Sequence, residues 1–207
     1  MQMQRIRKII SKAVADEKRT RRLAGIMREI AKIQGKRPKP ADIDGAVAFI
    51  QDYIEHVPVL LESIAAVAKQ RGIAGKLMPI LKVAEQYFLN PQDLIPDHLG
   101  LVGLMDDAYF ALSLIQAISD SYRQATACPL LPLNLMPANR AIRVLIGEPF
   151  ASQLDLGVAA TFELPTIQQG LEQLIPFGQT LPVDDPIWGG ANIDEIVDAR
   201  LGAMGVV

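Results

Sequence analysis

The chain of 207 residues carries 21 Lys/Arg against 23 Asp/Glu, and half of it is hydrophobic although only 5% is aromatic. That apolar content excludes wholesale disorder, and the shortage of aromatics leaves the core to Leu, Ile, Val and Ala, which favours helices over strands. The charge is split: residues 1–40 hold a net of +10 and residues 41–207 a net of −12, the pattern of a basic arm directed at something anionic.

The first segment runs from about Gln4 to Gln34. Ile6, Ile9, Ile10, Ala13 and Val14 recur at helical spacing, and Leu23, Ile26, Met27, Ile30 and Ile33 repeat it after a polar gap at Asp16–Arg22. Gly35 ends this helix, and Lys36-Arg37-Pro38-Lys39-Pro40 forms a stiff basic linker, the expected boundary. Asp42 caps a second helix, in which Ile43, Val47, Ile50, Ile54, Val57, Leu61, Ile64 and Ala68 trace one stripe. Pro58 is expected to kink or split it, since a mid-helix proline loses a hydrogen bond and clashes with the preceding turn. A third helix holds Leu77, Ile80, Leu81, Ala84, Tyr87 and Phe88, with Pro79 in its first turn.

Asn90 to Leu99, followed by Asp106-Asp107, sets four carboxylates, a histidine and two prolines in an apolar frame. Asn90 reads as an N-cap with Pro91 at the first helical position and Asp93 in the first turn. Pro96 stops that short helix and Asp97 caps the next, a long helix from Leu99 to about Gln124. Asp106 and Asp107 then fall two to three turns into it. A second reading makes Asp93, Asp97, His98, Asp106 and Asp107 an oxygen-rich site for Mg²⁺, Mn²⁺ or Ca²⁺. The spacing matches neither an EF-hand loop nor a paired-histidine zinc motif.

Beyond the proline-rich stretch Cys128–Pro137, Asn139–Phe162 reads as a helix broken near Gly147-Glu148-Pro149. Thr166 caps a short helix, Ile167–Ile175; Pro176–Asn192 is irregular; Ile193–Leu201 is a last short helix. The expected organisation is a basic N-terminal helix plus linker (1–40), a helical core (41–128), and a Pro/Gly-interrupted helical region packed on that core (129–207).

Residues 75–120 resemble the YkvA-like family, a domain of unknown function. The resemblance is carried by Tyr87–Leu112, in which Asp93, Leu94, Ile95, Pro96, Asp97, Gly103, Asp106 and Asp107 stand where the family has an Ile-Pro-Asp turn, a glycine-containing spacer and a paired Asp-Asp. Asn90 replaces a serine, Gln92 an isoleucine, and His98 an apolar residue. The resemblance labels the segment and implies no chemistry.

No serine-nucleophile elbow, phosphate loop or dinucleotide fingerprint is present. His56 reads as a packing or helix-surface residue, and Cys128, the lone cysteine, excludes an intrachain disulfide and a cysteine-based zinc site. No apolar run reaches the roughly 18–20 residues of a membrane span, and no secretory leader precedes the first helix. A cytoplasmic protein is expected, on occasion peripheral to a membrane.

The expected fold is all-α, a compact globule of six to eight helices around the central hairpin, without a substantial β-sheet. The leading function is a non-enzymatic interaction or scaffold protein, with a protein partner or a second copy of itself and no cofactor. A metal-dependent enzyme acting at the acidic hairpin is the alternative. A third reading binds anionic membrane or nucleic acid through residues 5–39, with Lys18, Arg19, Arg21, Arg22, Lys36, Arg37 and Lys39 as the contacting cations. On a membrane, Ile6, Ile9, Ile10 and Ile33 would insert.

Overall fold

The basic segment forms two helices, α1 (Met3–Thr20) and α2 (Arg22–Ile33), where one was expected. They part at Arg21, whose φ of 50° and ψ of 35° are left-handed, a conformation that disfavours any side chain with a Cβ. Glu17 holds the turn. Its carboxylate accepts the N–H of Leu23 at 2.8 Å and of Ala24 at 3.1 Å. Two donors that the first turn of α2 leaves open are thereby satisfied by a negative group at the positive helix end. Met3, Ile6, Ile10 and Ala13 of α1, and Leu23, Ala24, Met27 and Ala31 of α2, are buried.

The computed structural model describes residues 2–90, 94–183 and 187–206, and at Asp97 the backbone alone. Among the described residues there are nine α-helices, three short 3-10 segments and no strand, which is the expected all-α class. The division of the basic segment takes the helix count past the expected range.

Two helices form the centre. α3 (Pro40–Gln70) touches α1, α2, α4, α5 and α9. It runs unbroken through Pro58, contrary to the expected split. α3 is packed by other helices along its length, and Pro58 itself is buried. α4 (Ala74–Phe88) starts early enough that Pro79 lies inside it, past the first turn. α5 (Met105–Thr126) is the second central helix, against α3, α4, α6 (Met136–Ile146) and α7 (Phe150–Phe162).

α6 and α7 are separated at Gly147, whose φ of 75° needs glycine, so the break falls where the sequence places it. α8 (Pro165–Leu174) begins at Pro165, which leaves Thr166 inside the helix instead of at its cap. It lies so close on α4 that a Cβ at Gly170 would sit 2.8 Å from the Lys76 carbonyl oxygen. α9 (Ile193–Leu201) is bounded as read, and Asn192 caps it by accepting the N–H of Asp194 at 3.1 Å.

Buried and half-buried polar groups tie the layers together. The Tyr53 hydroxyl of α3 donates to Asn139 Oδ1 of α6 at 2.7 Å. The Tyr109 hydroxyl of α5 donates to Asp155 of α7 at 2.5 Å, and the other oxygen of Asp155 accepts from Arg143 Nε of α6 at 2.8 Å.

Candidate functional site at the acidic turn and the basic helices

The segment with the strongest sequence signal connects α4 to α5. Its first expected element, a short helix capped by Asn90 with Pro91 and Asp93, falls on residues 91–93, outside the described residues. From Leu94 the chain bends to Pro96 and enters a 3-10 helix, Asp97–Val102. The Asp97 side chain is also outside the described residues. Gly100, with φ 73° and ψ −134°, interrupts the path. Only glycine adopts such angles at low cost.

This interruption corrects the reading of Asp106 and Asp107. The helix expected from Leu99 begins at Met105, so the two acids occupy the first turn of α5, not its interior. Both are fully buried. At a helix start a carboxylate meets the positive end of the helix dipole, which lowers the cost of burying it. Asp106 Oδ2 also accepts the backbone N–H of Ile95 at 3.2 Å. That bond staples the incoming bend at residues 94–96 onto the helix 11 residues later.

His98 is exposed, unlike Asp106 and Asp107, and its carbonyl oxygen accepts from Arg22 Nη1 at 3.3 Å. Among the described residues no three His, Cys, Asp or Glu side chains come together as a metal-binding group. Asp93 and the Asp97 side chain are not among those residues.

The same turn seats the basic helices. The 3-10 helix Asp97–Val102 packs on α1. A Cβ on Gly100 would stand 3.9 Å from the Ala13 carbonyl oxygen, so the turn lies directly on α1. Arg22 bridges from the first residue of α2 to His98. Arg7 of α1 makes a two-pronged ion pair with Glu62 of α3, at 2.5 and 2.7 Å, and the guanidinium holds the Glu62 carboxyl below its ordinary range.

The cations singled out in the sequence are all exposed: Lys18, Arg19, Arg21, Arg22, Lys36, Arg37 and Lys39. Two of them are ion-paired among the described residues, Arg19 with Asp16 at 2.9 Å and Arg21 with Asp44 at 2.5 Å. The isoleucines expected to insert in a membrane are placed differently. Ile6 and Ile10 are in the core and Ile9 packs against it, while Ile33 is 81% exposed. Ile26, read from the sequence as part of the apolar stripe and not among the inserting isoleucines, is also exposed, at 36%.

His56 is buried and stacks on Trp188, ring centroids 4.3 Å apart, a packing position. Two functional features escaped the sequence reading, Glu17 as the cap of α2 and Arg22 as its tether to the acidic turn. The polar gap at Asp16–Arg22 was the available signal for both.

The profile of a family described as "Protein of unknown function (DUF1232)" matches residues 86–112. The match covers the end of α4, the acidic turn and the first part of α5, and nearly coincides with the stretch Tyr87–Leu112. Searches of curated proteins and of solved structures return no match. No described helix is long and apolar enough to cross a membrane.

Proposed function

We propose that this protein is a non-enzymatic binding protein in which a YkvA-like turn holds two basic helices as a surface for an anionic partner. The supporting observation is the bond of Arg22 to His98 O together with the packing of the turn on α1, which joins the family segment to the cationic helices. Burial of the apolar faces of α1 and α2 leaves Lys18, Arg19, Arg22, Lys36, Arg37 and Lys39 outward on a fixed scaffold. A fixed array of cations loses less side-chain and backbone freedom on binding than a floppy arm does. The reading fits a cytoplasmic protein whose partner carries phosphate or carboxylate groups.

Heparin binding by the full chain, followed through a salt titration, tests it. Replacing five of those six cations by Gln, all but Arg22, which bonds α2 to the turn, is expected to abolish retention at low salt and leave the melting temperature nearly unchanged, because all five are exposed. Equal retention of the five-fold variant, or no retention of the unaltered chain, contradicts the reading.

A second reading keeps Mg²⁺, Mn²⁺ or Ca²⁺ at Asp93, Asp97, His98, Asp106 and Asp107. It is favoured by the placement of two adjacent buried carboxylates in the first turn of α5, oxygen donors of the kind a hard divalent cation takes. Equilibrium dialysis with metal analysis decides it: a stoichiometric ion lost in Asp106→Asn supports the site, and a metal-free chain whose stability ignores all three ions contradicts it.

A further inference from the structure

We propose that the anionic partner is a lipid surface, met by one edge of α2 and the linker that follows it, with Ile26 and Ile33 entering the headgroup layer. The inference rests on the basic-surface reading above and names the partner class for it.

Ile26 and Ile33 are seven residues apart, so they lie about 20° from each other around the helix, on one edge of α2. Arg22, four residues before Ile26, lies on the same edge. The buried side of the helix is built from Leu23, Met27 and Ala31, and these two isoleucines are left over from it. Lys36, Arg37 and Lys39 follow within six residues of Ile33, exposed and without an ion pair among the described residues. The stem of Lys36 is braced by Gly205, close enough that a Cβ there would meet its carbons at 3.2 and 3.3 Å. The acidic residue on this edge, Glu29, is 3.8 Å from Lys32.

An exposed aliphatic side chain followed closely in the chain by cations discriminates between polyanions. The phosphates of a duplex reward the cations and leave the isoleucines in water. Single-stranded nucleic acid is gripped by aromatic stacking platforms, and α2 with its linker has none. An anionic lipid interface rewards both groups: cations with headgroup charge, isoleucines with the acyl boundary. The charge and the exposed apolar pair therefore match the same occupant.

The test is cosedimentation of the full chain with vesicles of phosphatidylcholine, with and without roughly a third phosphatidylglycerol, beside a duplex DNA titration in the same buffers. Expected is binding to the anionic vesicles only, with a salt-resistant part that Ile33→Ser removes. The triple variant Lys36→Gln, Arg37→Gln, Lys39→Gln should bind roughly a hundredfold more weakly at low salt, at about fivefold per cation. Ile33 is so exposed that Ile33→Ser keeps the fold, and an unchanged melting curve checks this. DNA binding without vesicle binding, or vesicle binding indifferent to Ile33→Ser, overturns the lipid inference and leaves the basic-surface reading standing. Binding to neither overturns both.

Discussion

Replacing a helical glycine by alanine should have opposite effects at two places in this protein. In a free helix the change stabilises by about 1 kcal/mol, because glycine gives up more backbone freedom on folding. Gly25 in α2 is such a place, with no atom within 4 Å of an added Cβ. Gly170 in α8 is not. Its Cβ would stand 2.8 Å from the Lys76 carbonyl oxygen and 3.4 Å from Ile80 Cδ1. Ile80 can shift its side chain, but the carbonyl belongs to the backbone of α4, so the two helices must separate. Overpacking of this kind costs about 1–3 kcal/mol. Subtracting the helix-propensity gain leaves Gly170→Ala destabilised by about 1 kcal/mol and Gly25→Ala stabilised by up to about 1 kcal/mol. In a chain of this size 1 kcal/mol moves the melting temperature by about 2–4 °C. Urea unfolding followed by circular dichroism measures both. If Gly170→Ala shifts the midpoint upward as Gly25→Ala does, the close seat of α8 on α4 is wrong.

Two more expectations follow from single contacts. Glu17→Ala removes the acceptor of two backbone N–H groups at the start of α2 and should destabilise by about 2 kcal/mol; Glu17→Gln, which keeps one acceptor oxygen, should recover part of that, read by the same urea midpoints. Tyr109 is pushed up to about 12 by burial and by the Asp155 carboxylate beside it. Below pH 10 both the folded and the unfolded chain keep this phenol protonated. Between pH 10 and about 12 the unfolded chain releases the proton and the folded chain does not, so stability should fall as pH rises through that window. Tyrosinate absorbance during alkaline unfolding tests this, and Tyr109→Phe should flatten the loss.

The helical class and several boundaries are legible in the sequence because their causes are local. Asn192 beside Ile193 makes a cap, and Gly147 with Pro149 makes a break, each within a few residues of the effect. The start of α5 is not legible for the opposite reason. Leu104, at its N-cap, offers no side-chain oxygen, and the interruption before it resides in the backbone angles of Gly100. Periodicity alone runs from Leu99 to about Gln124 without a seam, which displaced Asp106 and Asp107 by about two turns. Of the two effects expected of Pro58, the split does not occur: its local preference to break a helix is outweighed in α3, which packs against five other helices. Glu17 capping a helix other than its own requires the turn at Arg21, a non-glycine residue with positive φ that no residue type announces. In the candidate site, the chemistry-bearing residues were visible as types. The burial of Asp106 and Asp107, and the seating of α1 and α2 on the turn, rest on contacts far apart in sequence, among them that of Arg22 with His98, 76 residues away.

The central claim is that the segment matched by the family profile holds the basic helices in place. Backbone hydrogen exchange of the full chain, unaltered and as Gly100→Ala, tests it most directly. An alanine at φ 73° and ψ −134° carries strain of about 1–3 kcal/mol, while its Cβ meets only an ordinary contact at the Ala13 carbonyl, so the effect is conformational and local. The account predicts that amides of α1 and α2 lose protection together, by roughly 5- to 100-fold, while those of α6 and α7 stay as they were. Unchanged protection in α1 and α2, with the loss confined to the turn itself, would contradict it.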